Sequence, residues 1–400
     1  MFVFNPKATR QPYPSALKDV MDIARAEQSR QWLATWPRLN PGATPLYPLP
    51  GLAEQLGVAQ LLVKDESVRS PLGSFKALGA PIALVRLILR SFPEQGFDPQ
   101  GLLQGRYAQA LADFTVISAT DGNHGKGLAA AAQSVGCRCV IVLHAQVSAE
   151  REQAIADYGA RIVRISGNYD ASVAHAAQLA ANNGWTVVSD TSYAGYEVIP
   201  RDVMQGYGTI AAEIAEASAP THVFLQGGVG GLAAGIVSYL WELHGQQRPR
   251  FVMVEPEQAD CLLQSAVQGR AARATGSVDS VMAGLACGET SPLAWRFLET
   301  SVDGFMTISD AQAVAAMRRL AAGSARDVPL LAGESGVAGL AGLVALMQDA
   351  EQAARLGLDG NARVLFINTE GATAPGVYAE LVGETAASVL GRQQVWLAKG

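Results

Sequence analysis

Short runs of β-branched and aromatic residues alternate with alanine-rich helical segments along nearly the whole chain, and this alternation most restricts the fold. The runs QLLVK (60–64), FTVISA (114–119), RCVIVLH (138–144), RIVRIS (161–166), WTVVS (185–189), HVFLQ (222–226), RFVMVE (250–255), GFMTIS (304–309) and RVLFIN (363–368) read as strands. Between them, SAEREQAIADYG (148–159) and SDAQAVAAMRRLAA (309–322) carry helical spacing. The second opens on Ser309 and Gln312 in capping-box positions. Strands that alternate with helices pair in parallel and have both faces covered. The expected class is therefore α/β, with mostly parallel sheets flanked by helices.

A chain of 400 residues exceeds what one core usually holds, so two domains are expected. A smaller one of four strands, 81–199, would be inserted in a larger one made of 1–80 and 200–400. The polar stretches 91–105 and 268–277 are the candidate linkers. A net charge of -6 with no basic run disfavours nucleic acid as a partner, and none is expected. The uncharged stretch 217–241 contains five glycines, a proline and a histidine, which suits strand, loop and helix better than a membrane span. With no basic, apolar leader at the N-terminus, a cytoplasmic location is expected. The cysteines Cys137, Cys139, Cys261 and Cys287 match no zinc spacing. They read as buried reduced thiols, with a Cys261–Cys287 disulfide as the alternative.

Four segments carry chemistry. In SPLGSFKALGA (70–80), Lys76 follows a Pro-Gly turn and opens an apolar helix that Ser74 can cap. A cation gains nothing at that end of a helix, so another group should hold it. SATDGNHGKG (118–127) places Asp121, Asn123 and His124 in a glycine turn between strand and helix. LQGGVGGLAAG (225–235) offers Gly227, Gly228, Val229, Gly230 and Gly231 as an amide nest for one phosphate, without the lysine of a triphosphate loop. VLFINTEGATAP (364–375) ends a strand on Asn368, Thr369 and Glu370. A lysine, an asparagine turn, a phosphate nest and a strand-end hydroxyl together describe a pyridoxal phosphate site. Lys76 would be the amine that takes the aldehyde, its pKa lowered by burial or nearby cations.

These motifs, with VKDES, SDTSYAGYEVIPRDVMQGYGTI, VEPEQADC and GESGVAGLAGL, resemble the fold-type II pyridoxal phosphate enzymes, the group of tryptophan synthase β and threonine dehydratase. Within that group the chain is most similar to the diaminopropionate ammonia-lyase family. The ATDGNHG form carries that likeness, since dehydratases usually show Ser-Ser-Gly-Asn-His. The resemblance implies Lys76 as the Schiff-base lysine, Phe75 packed near the cofactor ring, and Asn123 on the ring's 3-oxygen. It implies residues 227–231 around the phosphate and Thr369, or Asn368 by a shift of one, at the ring nitrogen. Asp121 and Asp190 are the carboxylates expected to mark the substrate. Lys76 would take the α-proton of the L-isomer, Asp121 that of the D-isomer, and Asp190 would hold an amino group. The implied activity is α,β-elimination of 2,3-diaminopropionate to pyruvate and two ammonia, by a homodimer; no residue is assigned to a metal. A serine/threonine-type dehydratase acting on a β-hydroxy amino acid shares every cofactor residue and is the alternative.

Overall fold

Strand-forming runs pair into two sheets in a computed structural model that describes residues 1–120, 122–145, 147–167 and 169–399. The strands are β1 (Phe2–Phe4), β2 (Leu46–Pro48), β3 (Gln60–Asp65), β4 (Thr115–Ala119), β5 (Arg138–Leu143), β6 (Arg161–Arg164), β7 (Thr186–Val187), β8 (His222–Gln226), β9 (Arg250–Pro256), β10 (Gly304–Ile308) and β11 (Arg363–Asn368). The larger sheet runs β1-β10-β9-β8-β11-β3-β2, and the smaller runs β6-β5-β4-β7. Every pairing in the smaller sheet is parallel. In the larger one only the edge strands β1 and β2 are antiparallel. The nine expected runs all contribute a strand, and β1 and β2 add two short ones.

Strand β8 is buried throughout and β11 is buried past Arg363, which explains why their centres are continuous apolar runs. Successive side chains divide between two cores. Val223, Leu225, Leu365 and Ile367 face one core, while Phe224, Val364 and Phe366 face the other. The first core continues into the smaller sheet through Val116, Ile141 and Leu143. It lies under the helices Gly79–Ser91, Val198–Ala217 and Gly231–His244. Helix Gly79–Ser91 is buried from Gly79 to Ile88, as its all-round apolar sequence requires. Helix Asp310–Ala322 carries the expected capping box between Ser309 and Gln312.

Three expectations need correction. The stretch 91–105 is not a free linker, because its helix Pro99–Leu103 buries Leu102 and Leu103. Lys76 lies in a 3-10 turn, Phe75–Leu78, that precedes the α-helix. Ser74 occupies the capping position without a side-chain bond, and pairs through its backbone with Glu370 instead. Among the described residues, no helix is long and apolar enough to cross a membrane, and Cys137, Cys139 and Cys261 are buried thiols outside any disulfide.

Candidate active site

Two backbone stitches fix the lysine turn. Phe75 N–H donates to the Thr369 carbonyl (3.0 Å), and Gly371 N–H donates to the Gly73 carbonyl (2.9 Å). The segment after β11 is thereby tied directly to the segment that carries Lys76. Gly73 has φ +76, a conformation that suits glycine. Behind the turn, Gly206 lets the Leu78 carbonyl come within 2.1 Å of where a Cβ would stand. On the other side, a Cβ on Gly127 would be 3.0 Å from the Lys76 carbonyl.

A buried ion network anchors the strand that leads into this turn. Lys64 Nζ donates to Glu213 Oε2 (2.6 Å), and Arg69 bridges Glu213 (2.7 Å) and Glu66 (2.8 Å). All four side chains are almost fully buried, so removing one partner would strand a charge in the core.

Lys76 Nζ donates to Asp190 Oδ2, joining residues 114 positions apart. A fifth of the surface of each side chain remains open. The ammonium also lies 5.2 Å from the Phe75 ring centre and 5.9 Å from that of Tyr207. Phe75 and Tyr207 pack against each other at 4.8 Å. Burial opposes the charge on Lys76, but Asp190 and Tyr207 more than offset it and hold the amine above its ordinary value. This corrects the expectation of a lowered pKa, which took no account of an anion in contact. Burial likewise opposes the charge on Asp190, yet the ammonium of Lys76 in contact with it keeps it well below the usual carboxylate range.

Asp190 also links the lysine to the glycine loop. The Cβ position of Gly231 is 3.7 Å from the Asp190 carbonyl. Past Asp190, Ser192 Oγ and Ser291 Oγ share a buried hydrogen bond (2.7 Å), while Ser291 N–H donates to the Val229 carbonyl (3.0 Å). Residues 227–231 run from β8 into helix Gly231–His244, which no side chain caps. Gly230 has φ +98, and a Cβ on Gly227 would collide with Glu255 Cγ at 2.5 Å. A Cβ on Gly228 would come within 3.2 Å of Cys287 Sγ. Three of these glycines therefore serve packing or turn geometry. Burial pushes Glu255 up to about 8, although the Leu262 and Leu263 amides bond its carboxyl. Near neutral pH this group stays protonated and does not repel an anion at the loop.

Asn123 begins helix Asn123–Val135 and donates through Nδ2 to Glu370 Oε2 (2.5 Å). The other oxygen of Glu370 accepts from Ser335 N–H (3.2 Å). Beside it, Glu334 is pushed up to about 7 by burial and by Glu370, with Arg151 opposing from 3.4 Å. Asn368 uses Nδ2 on Asp65 Oδ1 (2.9 Å) and on the Leu331 carbonyl (3.0 Å). Thr369 is buried next to it.

The structure thus links Lys76, Phe75, Asp190, Asn123, the glycine loop and Thr369 through one connected set of contacts. Asp121 lies outside the described residues. Sequence reasoning did not single out His124, Tyr207, Glu334 or Glu370 as site residues. Glu370 had a local signal, since it adjoins Thr369 in the NTEG segment. Among the described residues, no group of three or more His, Cys, Asp or Glu is placed to hold a metal ion.

A pyridoxal phosphate group fits this donor set. An uncapped helix start with glycine amides suits its phosphate, a partly open amine suits its aldehyde, and a second hydrogen on Asn123 Nδ2 suits a ring oxygen.

The family described as pyridoxal-phosphate dependent enzyme matches residues 38–370. Diaminopropionate ammonia-lyase of Escherichia coli strain K12 is 39% identical over 350 residues, which span 85% of this chain and 87% of that protein. One crystal structure of the Escherichia coli enzyme is in complex with an aminoacrylate-PLP azomethine reaction intermediate. It superposes with a TM-score of 0.85 at 36% identity, covering 96% of each chain. Another, in complex with D-serine, gives a TM-score of 0.86 at the same identity and coverage.

Proposed function

Because this chain belongs to the pyridoxal-phosphate-dependent enzymes of fold type II, we propose that it eliminates ammonia from 2,3-diaminopropionate, giving pyruvate and two ammonia. The contact between Lys76 Nζ and Asp190 carries the reading, because it sets an anion able to receive a substrate ammonium against the reacting amine. Lys76 would hold the cofactor aldehyde, Asn123 Nδ2 its 3-oxygen and residues 227–231 its phosphate. The Asn368 amide is already engaged with Asp65 and Leu331, which favours the Thr369 hydroxyl for the ring nitrogen. When bound, the cofactor supplies an electron sink for the pair left at the α-carbon.

The protein's own part is proton handling and orientation. Lys76 Nζ removes the α-proton of the L-isomer, and Asp121 is assigned that of the D-isomer from the sequence alone. Asp190 holds the amino group that does not react at that moment. Phe75 and Tyr207 wall the amine on its apolar side. The division 81–199 within 1–80 and 200–400 belongs to the same proposal. It sets Asn123 and Asp190 on one unit, and Lys76, the glycine loop and Thr369 on the other. A homodimer in the cytoplasm completes the reading, with light scattering as the check on its size.

Pyruvate release from diaminopropionate and from serine, measured side by side, tests the function. A strong preference for serine would replace it with the dehydratase. Lys76→Ala should abolish the visible absorbance of the bound cofactor together with turnover.

A further inference from the structure

His124 is a buried titratable group beside Lys76 and Asp190 that the reading above leaves unused. It is the second residue of helix Asn123–Val135 and is only 4% exposed. Its Nε2 lies 3.0 Å from the Val188 carbonyl, which can only accept, so that nitrogen carries the ring hydrogen. Burial lowers its pKa and Lys76 adds to the effect, against the pull of Asp190, so the ring is neutral. Nδ1 is therefore a bare acceptor. It is buried, has no hydrogen-bond partner, and lies 3.9 Å from Asp190 Oδ2.

We propose that His124 Nδ1 and Asp190 together receive a substrate ammonium, which makes His124 a residue that selects the diamino acid over a β-hydroxy amino acid. This rests on the function proposed above. An ammonium has three N–H groups and can satisfy both acceptors at once, whereas a hydroxyl has a single hydrogen and leaves one buried acceptor unpaired. Lys76 Nζ, bound to Asp190, already shows that this corner accepts an ammonium. A site whose buried polar groups are matched only by the correct substrate discriminates strongly against the incorrect one.

Two variants of the cofactor-loaded enzyme separate the parts of His124. His124→Gln can still donate to the Val188 carbonyl but leaves no acceptor where Nδ1 stood. His124→Asn sets an oxygen near the Nδ1 position and gives up the Val188 bond. The readout is the ratio of kcat/KM for diaminopropionate to that for serine. His124→Gln should lower it roughly tenfold, mostly through KM, while His124→Asn keeps it within about threefold. Both should retain the cofactor absorbance of the wild type. Equal losses on the two substrates, an unchanged ratio in His124→Gln, or as great a fall in His124→Asn would overturn the assignment. If the wild type releases no pyruvate from diaminopropionate, the proposed function fails and this inference falls with it. If it does, and the ratio in His124→Gln stays put, only the inference falls.

Discussion

Gly206→Ala tests how the lysine turn is held. A methyl at position 206 would stand 2.1 Å from the Leu78 oxygen, 2.8 Å from the Leu78 carbonyl carbon and 3.1 Å from the Gly79 Cα. These are backbone atoms at the end of the turn that carries Lys76 and cannot rotate aside. Restoring ordinary contact demands a shift of about 1 Å, and overpacking of this kind costs roughly 1–3 kcal/mol. Replacing glycine by alanine inside helix Val198–Ala217 offsets about 1 kcal/mol of that. The net loss is roughly 0–2 kcal/mol, a fall of a few degrees in Tm at most. The catalytic effect should be far larger, because displacing a reacting group by about 1 Å can cost on the order of 100-fold in rate. Gly208→Ala is the matched control. Its methyl would meet Ala26 Cβ at 2.6 Å, away from the lysine turn. Steady-state kinetics and thermal melts of both variants should give similar Tm values, with kcat reduced about 100-fold in Gly206→Ala and within about threefold of wild type in Gly208→Ala. Equal activities would refute the wedge between Gly206 and Leu78.

Other outcomes follow from the same geometry. Glu334 has a raised folded-state pKa of about 7, so its contribution to stability is present below the unfolded value and is lost as pH rises through about 7. Glu334→Gln should therefore flatten the decline of Tm between about pH 5 and 8, with its advantage over wild type at the alkaline end. Parallel curves would remove Glu334 as the source. Glu370 fixes which end of the Asn123 amide is the donor. Glu370→Ala should weaken pyridoxal phosphate binding to the apo chain roughly tenfold in a spectroscopic titration, and change nothing further in an Asn123→Ala background. Ser309→Ala breaks the capping box and should cost about 1 kcal/mol in a denaturant titration while leaving turnover unchanged.

The parallel layers were legible because β8, β9 and β11 are buried on both faces and so appear as unbroken apolar runs. Strands β1 and β2, three residues each, are too short to show a period and are defined only by their antiparallel partners. In the site, Lys76, Asn123 and the glycine loop carry local signals, namely glycine turns at the ends of strands. Asp190 was a candidate, but its contact with Lys76 spans 114 positions, and without that contact the direction of the lysine's pKa came out wrong. His124 was visible as a residue of the turn. Its role depends on which nitrogen faces Val188, and that is settled only by tertiary packing. Glu334 is beyond any such reading, since its raised pKa comes from burial in the folded protein and from Glu370, remote in the chain, with Arg151 opposing.

The position of β11 between β8 and β3 has a consequence for how the protein is made. Within the larger sheet, β3 reaches β8 only through β11, which spans Arg363–Asn368. A nascent polypeptide still short of that strand has the Lys76 turn downstream of an isolated β2–β3 pair, with neither the Thr369 nor the Gly371 stitch available. Cofactor capture must therefore await synthesis of β11 and of the segment that follows it, which keeps a chain without them from holding a reactive aldehyde in an unfinished site.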